Sequence, residues 1–195
     1  MDILQKLRVQ TITQHREIEY NSCLKRLSED LSLSEYIQIL EKFYAFYSSF
    51  ESHLDWDKLK QLSHAELTEE RRRAPLLEKD LSHFGVPLDK TPTILPYARS
   101  FSFPALMGCF YVLEGSSLGR KMLYPSLVAK FNLNQNAGGA FFYDKGEKIS
   151  VNWRNFCQML KSKIVTEGDK KICTEAAIQT FENINELFKD GQVIR

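Results

Sequence analysis

The sequence predicts an all-α protein folded as a single domain over residues 1–195. Apolar residues recur at spacings of three and four along most of the chain, the period of a one-sided helix. No alternating strand pattern or convincing hairpin interrupts them. A length of 195 residues suits one domain with a core large enough to surround a small molecule.

The elements follow in order. Leu4, Leu7, Thr11, His15, Ile18 and Ser22 make a stripe on one helical face. Ser34 is placed to cap a long second helix whose inner face is Ile37, Leu40, Phe43, Tyr44, Tyr47 and Phe50. Leu76, Leu77, Leu81 and Phe84 define a shorter helix, started by Pro75 and stopped by Gly85. Pro87, Pro92 and Pro96 then mark a loop. The apolar run 101–110 opens a helix that carries Gly115 and Gly119 and continues through Met122, Leu123, Leu127 and Val128. Residues 134–146, with Gly138, Gly139 and Gly146, read as a second loop, in which Phe141-Phe142-Tyr143 suits a short extended piece. Two helices close the chain. One bears Trp153, Phe156, Met159 and Leu160; the other bears Ile172, Ala176, Ile178, Phe181, Ile184, Leu187 and Phe188.

Composition excludes several classes. The net charge is +1, with 43% hydrophobic and 26% charged residues, so the clustered basic excess of a nucleic-acid binder is missing. The one basic run, Arg71-Arg72-Arg73, follows Glu69 and Glu70 and reads as a solvated helix face. The best candidate span, near 101–113, is too short for a membrane and contains Pro104. The N-terminus has no apolar signal region, which makes a cytoplasmic protein with reduced thiols the expectation. Cys23, Cys109, Cys157 and Cys173 have neither metal-ligand nor CxxC spacing, and Cys109 reads as a buried, inert thiol.

The chemistry-bearing candidates lie on two helices. His15 sits on the inward stripe, as either a hydrogen-bonded core histidine or a ligand. Glu19 is one turn later, within reach of the imidazole, and such a partner fixes a ligating ring and raises its basicity. Arg8 is two turns earlier, on the same face, where it can meet an anionic group on a flat ligand. On the other helix, each of Gly115 and Gly119 weakens the helix by roughly 1 kcal/mol relative to alanine. Four residues apart, they strip one face of Cβ atoms, for close helix packing or for a flat ligand against bare backbone. Ser116 and Ser117 between them loosen the helix further. A di-iron bundle would need two Glu-x-x-His repeats, and only Asp80-Leu-Ser-His83 approaches one. A hydrolase elbow would need GxSxG after a strand; Gly115-Ser-Ser-Leu-Gly119 has that spacing, but no strand pattern precedes it.

These stretches resemble the biliverdin-producing heme oxygenases, bacterial type. Leu7-Arg8-x-x-Thr11-x-x-x-His15-x-x-x-Glu19 is similar to the family's proximal helix. Tyr111-Val-Leu-Glu-Gly-Ser-Ser-Leu-Gly119 is similar to its distal helix. Arg73 through Leu81 with Gly85, Trp153-x-x-Phe156, and Glu175 through Phe181 with Phe188 complete an ordered match running nearly end to end. The resemblance implies a helical domain holding heme b, both substrate and cofactor, between a proximal and a kinked distal helix. It implies His15 as the axial iron ligand, oriented by Glu19. It implies that Gly115, Ser116 and Gly119 form the catalytic face, that Arg8, Tyr111 and Lys161 meet the propionates, and that Phe181 and Phe188 line the wall. The implied reaction uses O2 and electrons from a donor protein, such as a ferredoxin, a flavodoxin or a reductase, and yields biliverdin, carbon monoxide and ferrous iron. A photoreceptor or reductase that uses biliverdin is an implied partner. Two positions depart from the pattern. Ser116 stands where animal members carry an aspartate, and Arg120 stands where a further glycine is common. Arg120 can turn to solvent, crowd the pocket or bring a cation near the heme. A heme-binding or heme-sensing protein with impaired turnover is the alternative on this fold, and a helical interaction module is the remoter one.

Overall fold

The computed structural model describes residues 1–20, 22–63, 67–88 and 102–189. Pro92, Pro96 and the side chain of Ser22 lie outside the described residues. Among the described residues every regular element is a helix: α1 Ile3–Gln10, α2 Ile12–Glu19, α3 Ser22–Lys25, α4 Leu33–Ser52, α5 Trp56–Leu62, α6 Ala74–His83, α7 Phe103–Phe131, α8 Ala140–Tyr143, α9 Ile149–Lys163 and α10 Glu167–Leu187.

The N-terminal stripe folds as separate short helices. Asp2 starts α1 with a capping box, accepting from the Gln5 amide while the Gln5 side chain accepts from Asp2. At Thr11 the hydroxyl donates to the Leu7 carbonyl at 2.8 Å, a back-bond that bends helices, and the chain re-enters helix at Ile12. The long α4 is capped by Ser32 and not by Ser34. The Ser32 hydroxyl accepts from the Glu35 amide, and the Glu35 carboxylate accepts from the Ser32 amide at 2.8 Å. The signal for this was glutamate three residues after the cap, which Ser34 lacks.

Pro75 opens α6 as its spacing predicts, and Gly85 ends it. With φ at +70°, Gly85 lets its amide reach the Ser82 carbonyl and the Val86 amide reach Leu81, a paired closure that suits glycine. The expected extended piece at Phe141-Phe142-Tyr143 is instead the helical turn α8. Its cause is Asp80, which is fully buried on α6. Its two carboxylate oxygens accept from the Ala140 and Phe141 amides, both at 2.8 Å, and so cap α8 from a distant helix.

The long α7 is helical throughout, across both glycines and Pro125. Helix α10 packs along it, α9 and α8 flank it, and α1 and α2 lie against α10. Gly108 makes the α7–α10 contact possible: a Cβ there would stand 2.0 Å from the Cys173 carbonyl oxygen. Helix α4 packs on α6. The core between these layers is aromatic, with Tyr36, Phe46, Phe50, Phe141, Phe142, Phe156 and Phe188 fully buried. No helix among the described residues is long and apolar enough to cross a membrane.

Candidate functional site

A cavity of about 450 Å³ opens between the N-terminal segment and α7, within the range of small-molecule sites. Helix α2 contributes His15, Ile18 and Glu19. Leu24, Lys25, Leu27 and Ser28 follow. The α7 wall is Tyr111, Val112, Gly115, Ser116, Leu118, Gly119, Arg120 and Leu123. Phe43, Phe46 and Tyr47 of α4, with Phe142, Trp153, Phe181 and Ile184, supply an apolar floor and sides.

His15 and Glu19 are set as the one-turn spacing requires. Nδ1 lies 3.3 Å from Glu19 Oε1, and Phe181 meets the ring edge-on at 5.8 Å between centroids. With Nδ1 engaged, Nε2 is the nitrogen left to bind something in the cavity.

The two glycines resolve against simple packing. A Cβ added at Gly119 would meet nothing within 4 Å. One at Gly115 would make an ordinary contact with Trp153 at 3.5 Å. Gly108, where the added atom would collide with backbone, is what a packing glycine looks like in the same helix. The bare backbone at Gly119 therefore faces open cavity, a cradle a side chain would fill.

Other sequence-predicted residues divide. Tyr111 lines the cavity, its ring tilted against Trp153 at 5.6 Å between centroids. Burial raises its hydroxyl pKa, while Arg8's charge pulls the other way; Arg8 does not line the cavity. Lys161 does not line the cavity; it pairs with Asp2 at 3.2 Å. Phe188 is fully buried behind Phe43, 4.7 Å between centroids, and backs the wall without forming it. Lys25, on the rim and paired with Glu29 at 3.1 Å, is a base that sequence reasoning missed. Cys109 is no nucleophile: burial pushes its thiol up to about 11.

The basic run is the largest correction. Arg71 and Arg73 are buried, not solvated. Arg71 Nη1 donates to Glu114 at 2.6 Å, and Arg73 Nη2 lies 3.1 Å from Asp144. The Arg73 and Ala74 amides and the Arg72 side chain turn to buried Glu51. The clue was Glu114, a lone carboxylate in an apolar helix that had to find a cation. Arg120 belongs to the same network and does not turn to solvent. Its Nη1 donates to Tyr47 Oη at 3.2 Å and Ser116 Oγ at 3.0 Å. Its Nη2 donates to Ser117 Oγ at 2.7 Å and Asp144 Oδ2 at 3.0 Å. The guanidinium also covers the Phe141 ring at 4.4 Å. Burial alone would raise the Asp144 carboxyl, but Arg73 and Arg120 hold it below the usual carboxylate value. These pairs keep Asp144 at a φ of +48°, a conformation that non-glycine residues rarely hold.

A profile of the heme oxygenase family matches residues 1–190. The chain belongs to the heme oxygenase family. A heme oxygenase of Xanthomonas campestris pv. campestris is 29% identical over 133 residues, covering 66% of this chain and 73% of its own. Among solved structures, the NO- and CO-bound heme oxygenase of Neisseria meningitidis superposes with a TM-score of 0.80 at 21% identity, covering 96% of this chain and 90% of that one. Heme oxygenase-2 of Synechocystis sp. PCC 6803, in complex with heme and NO, gives 0.79 at 20% identity over 96% of this chain and 84% of that one. At those identities the likeness establishes the all-α heme oxygenase fold.

Proposed function

We propose that this family member binds heme in the cavity between α2 and α7 and cleaves it oxidatively to biliverdin, carbon monoxide and ferrous iron, using O2 and electrons from a donor protein. One observation carries the reading. The open, side-chain-free backbone at Gly119 and the His15–Glu19 pair line the same mostly apolar cavity. A flat, apolar, iron-bearing ligand fits both walls. His15 Nε2 ligates its metal and Glu19 fixes the ring. Gly115 and Gly119 let the α7 backbone lie on the other face, where a larger residue would hold it away. Phe181 and Ile184 exclude water from one side, and Phe43 and Phe46 from another. Lys25 and Tyr111 line the cavity as the polar groups that would meet carboxylate substituents, with the charge of Arg8 acting on Tyr111 from outside the lining. When bound, heme supplies the redox-active iron and is itself the molecule opened.

The test is hemin added to purified protein, followed by a reductant under air with catalase present. Wild type should show a histidine-ligated Soret band, then a biliverdin spectrum with carbon monoxide release. His15→Ala should abolish or displace the Soret band; an unchanged band removes His15 as the ligand. Heme that binds but persists intact after reduction in wild type makes this a heme-binding protein without turnover.

A further inference from the structure

Resting on the reading that heme fills this cavity, we propose that Tyr47 of α4, clamped at its oxygen by Arg120 of α7, is the hydrogen-bond donor offered to an anion bound at the iron. The argument is a donor count. A guanidinium has five N–H donors and accepts nothing. Four of Arg120's are spent, on Tyr47, Ser116, Ser117 and Asp144, and the Nε–H is buried without a partner. Tyr47 Oη therefore receives a proton from Arg120 and cannot return its own. Among the described residues that oxygen has no other polar partner.

Ser116 is in the opposite position. Its hydroxyl accepts from Arg120 but donates to the Leu113 carbonyl at 2.7 Å, so its proton is already used. Of the two hydroxyls that Arg120 holds at the cavity, only the phenol keeps a free proton. Both line the cavity, as does Arg120, and residues Tyr47 and Arg120 are 3% and 4% exposed. Tyr47 also borders a small second cavity of about 10 Å³. Arg120 and Ser116, the groups around its oxygen, belong only to the large one. A cation bonded to the phenol oxygen polarises the O–H and strengthens it as a donor. Asp144, itself pinned by Arg73 and Ser117, fixes the guanidinium so that the phenol cannot swing away. Arg120 is thus a positioning residue, and Tyr47 is the group that touches the bound anion.

The experiment is fluoride titration of the hemin-loaded protein, followed by absorbance. Fluoride is a small anion and a strong acceptor, whereas carbon monoxide on the reduced protein is neutral and a weak one. Tyr47→Phe should weaken fluoride by roughly tenfold, the worth of one hydrogen bond to a charged group. Hemin affinity and carbon monoxide affinity should stay within about threefold, a spread small against that effect. Arg120→Lys, which keeps the charge but not the fork, should weaken fluoride by a smaller factor. If Tyr47→Phe lowers only the melting temperature and leaves fluoride affinity unchanged, Tyr47 merely ties α4 to α7 and the proposal falls. An equal loss of fluoride and carbon monoxide is a steric effect and also overturns it. Wild type that takes up no hemin overturns the functional reading, and this proposal with it.

Discussion

Three glycines of α7 look alike in the sequence and do different work. Gly108 is filled against by the Cys173 carbonyl, Gly115 touches Trp153, and Gly119 faces empty space. Alanine at each should separate these roles. Gly108→Ala forces overpacking at the α7–α10 contact and should cost about 1–3 kcal/mol or more. Gly119→Ala clashes with nothing and adds helix propensity, so the ligand-free protein should gain up to about 1 kcal/mol. The same substitution should weaken hemin binding and slow turnover, because the methyl group occupies the cradle. Thermal melts with and without hemin check both. A ligand-free Gly119→Ala protein less stable than wild type would mean that this backbone has a packing role after all. Position 120 belongs beside them. Its alternatives at the sequence level were solvent, crowding or a cation near the ligand, and the structure shows a guanidinium at the cavity edge with its charge held by Asp144.

At the scale of elements, Asp80 joins two helices that are 60 residues apart in the chain. Burial pushes its carboxyl from near 3.8 up to about 6, while the two amides of α8 pull it back down. A raised folded value means the native state holds the proton more tightly than the unfolded chain. Its contribution is therefore full below about 4 and is lost as pH rises through about 6. Asp80→Asn keeps one acceptor and cannot titrate. The stability gap between wild type and this variant should narrow by about 2 kcal/mol from pH 4 to 6.5. Urea unfolding of both proteins across that range measures it, and a constant gap would show that Asp80 does not titrate there. The example also shows what was legible. Helices α4, α6, α7, α9 and α10 were written in local apolar spacing and in Pro75 and Gly85. The turn α8 was not, because its cap comes from another helix. The buried arginines were misread for the same reason: Glu69 and Glu70 beside them suggested a local solvated cluster, whereas their partners Glu114 and Asp144 are brought in by tertiary packing. For the candidate site, His15, Glu19, Tyr111, Gly115, Ser116, Gly119 and Phe181 were found from spacing and family likeness. Tyr47 was placed on an inner helical face, but nothing local marked its hydroxyl as polar lining.

At the scale of the whole molecule, the ligand-free fold is unevenly supported. Most helices bury residues of their own, yet α2 buries none, and its Ile18, His15 and Glu19 look into the cavity. One side of that helix lies against α10, and on the proposed reading its cavity side is the part that heme covers. An element with so little burial belongs to the low-stability end of the molecule and opens without global unfolding. A ligand that touches it adds stability by mass action, about 2.7 kcal/mol at a hundredfold excess over its dissociation constant. The gain should concentrate where burial is missing. Amide hydrogen exchange in residues 12–19 should be fast in the ligand-free protein and slow by roughly tenfold or more when hemin is added. Helix α10, already packed along α7, should change far less. Equal protection of both would mean that hemin stabilises the fold as one unit. No change in α2 with hemin bound would place the ligand elsewhere and remove His15 from the iron.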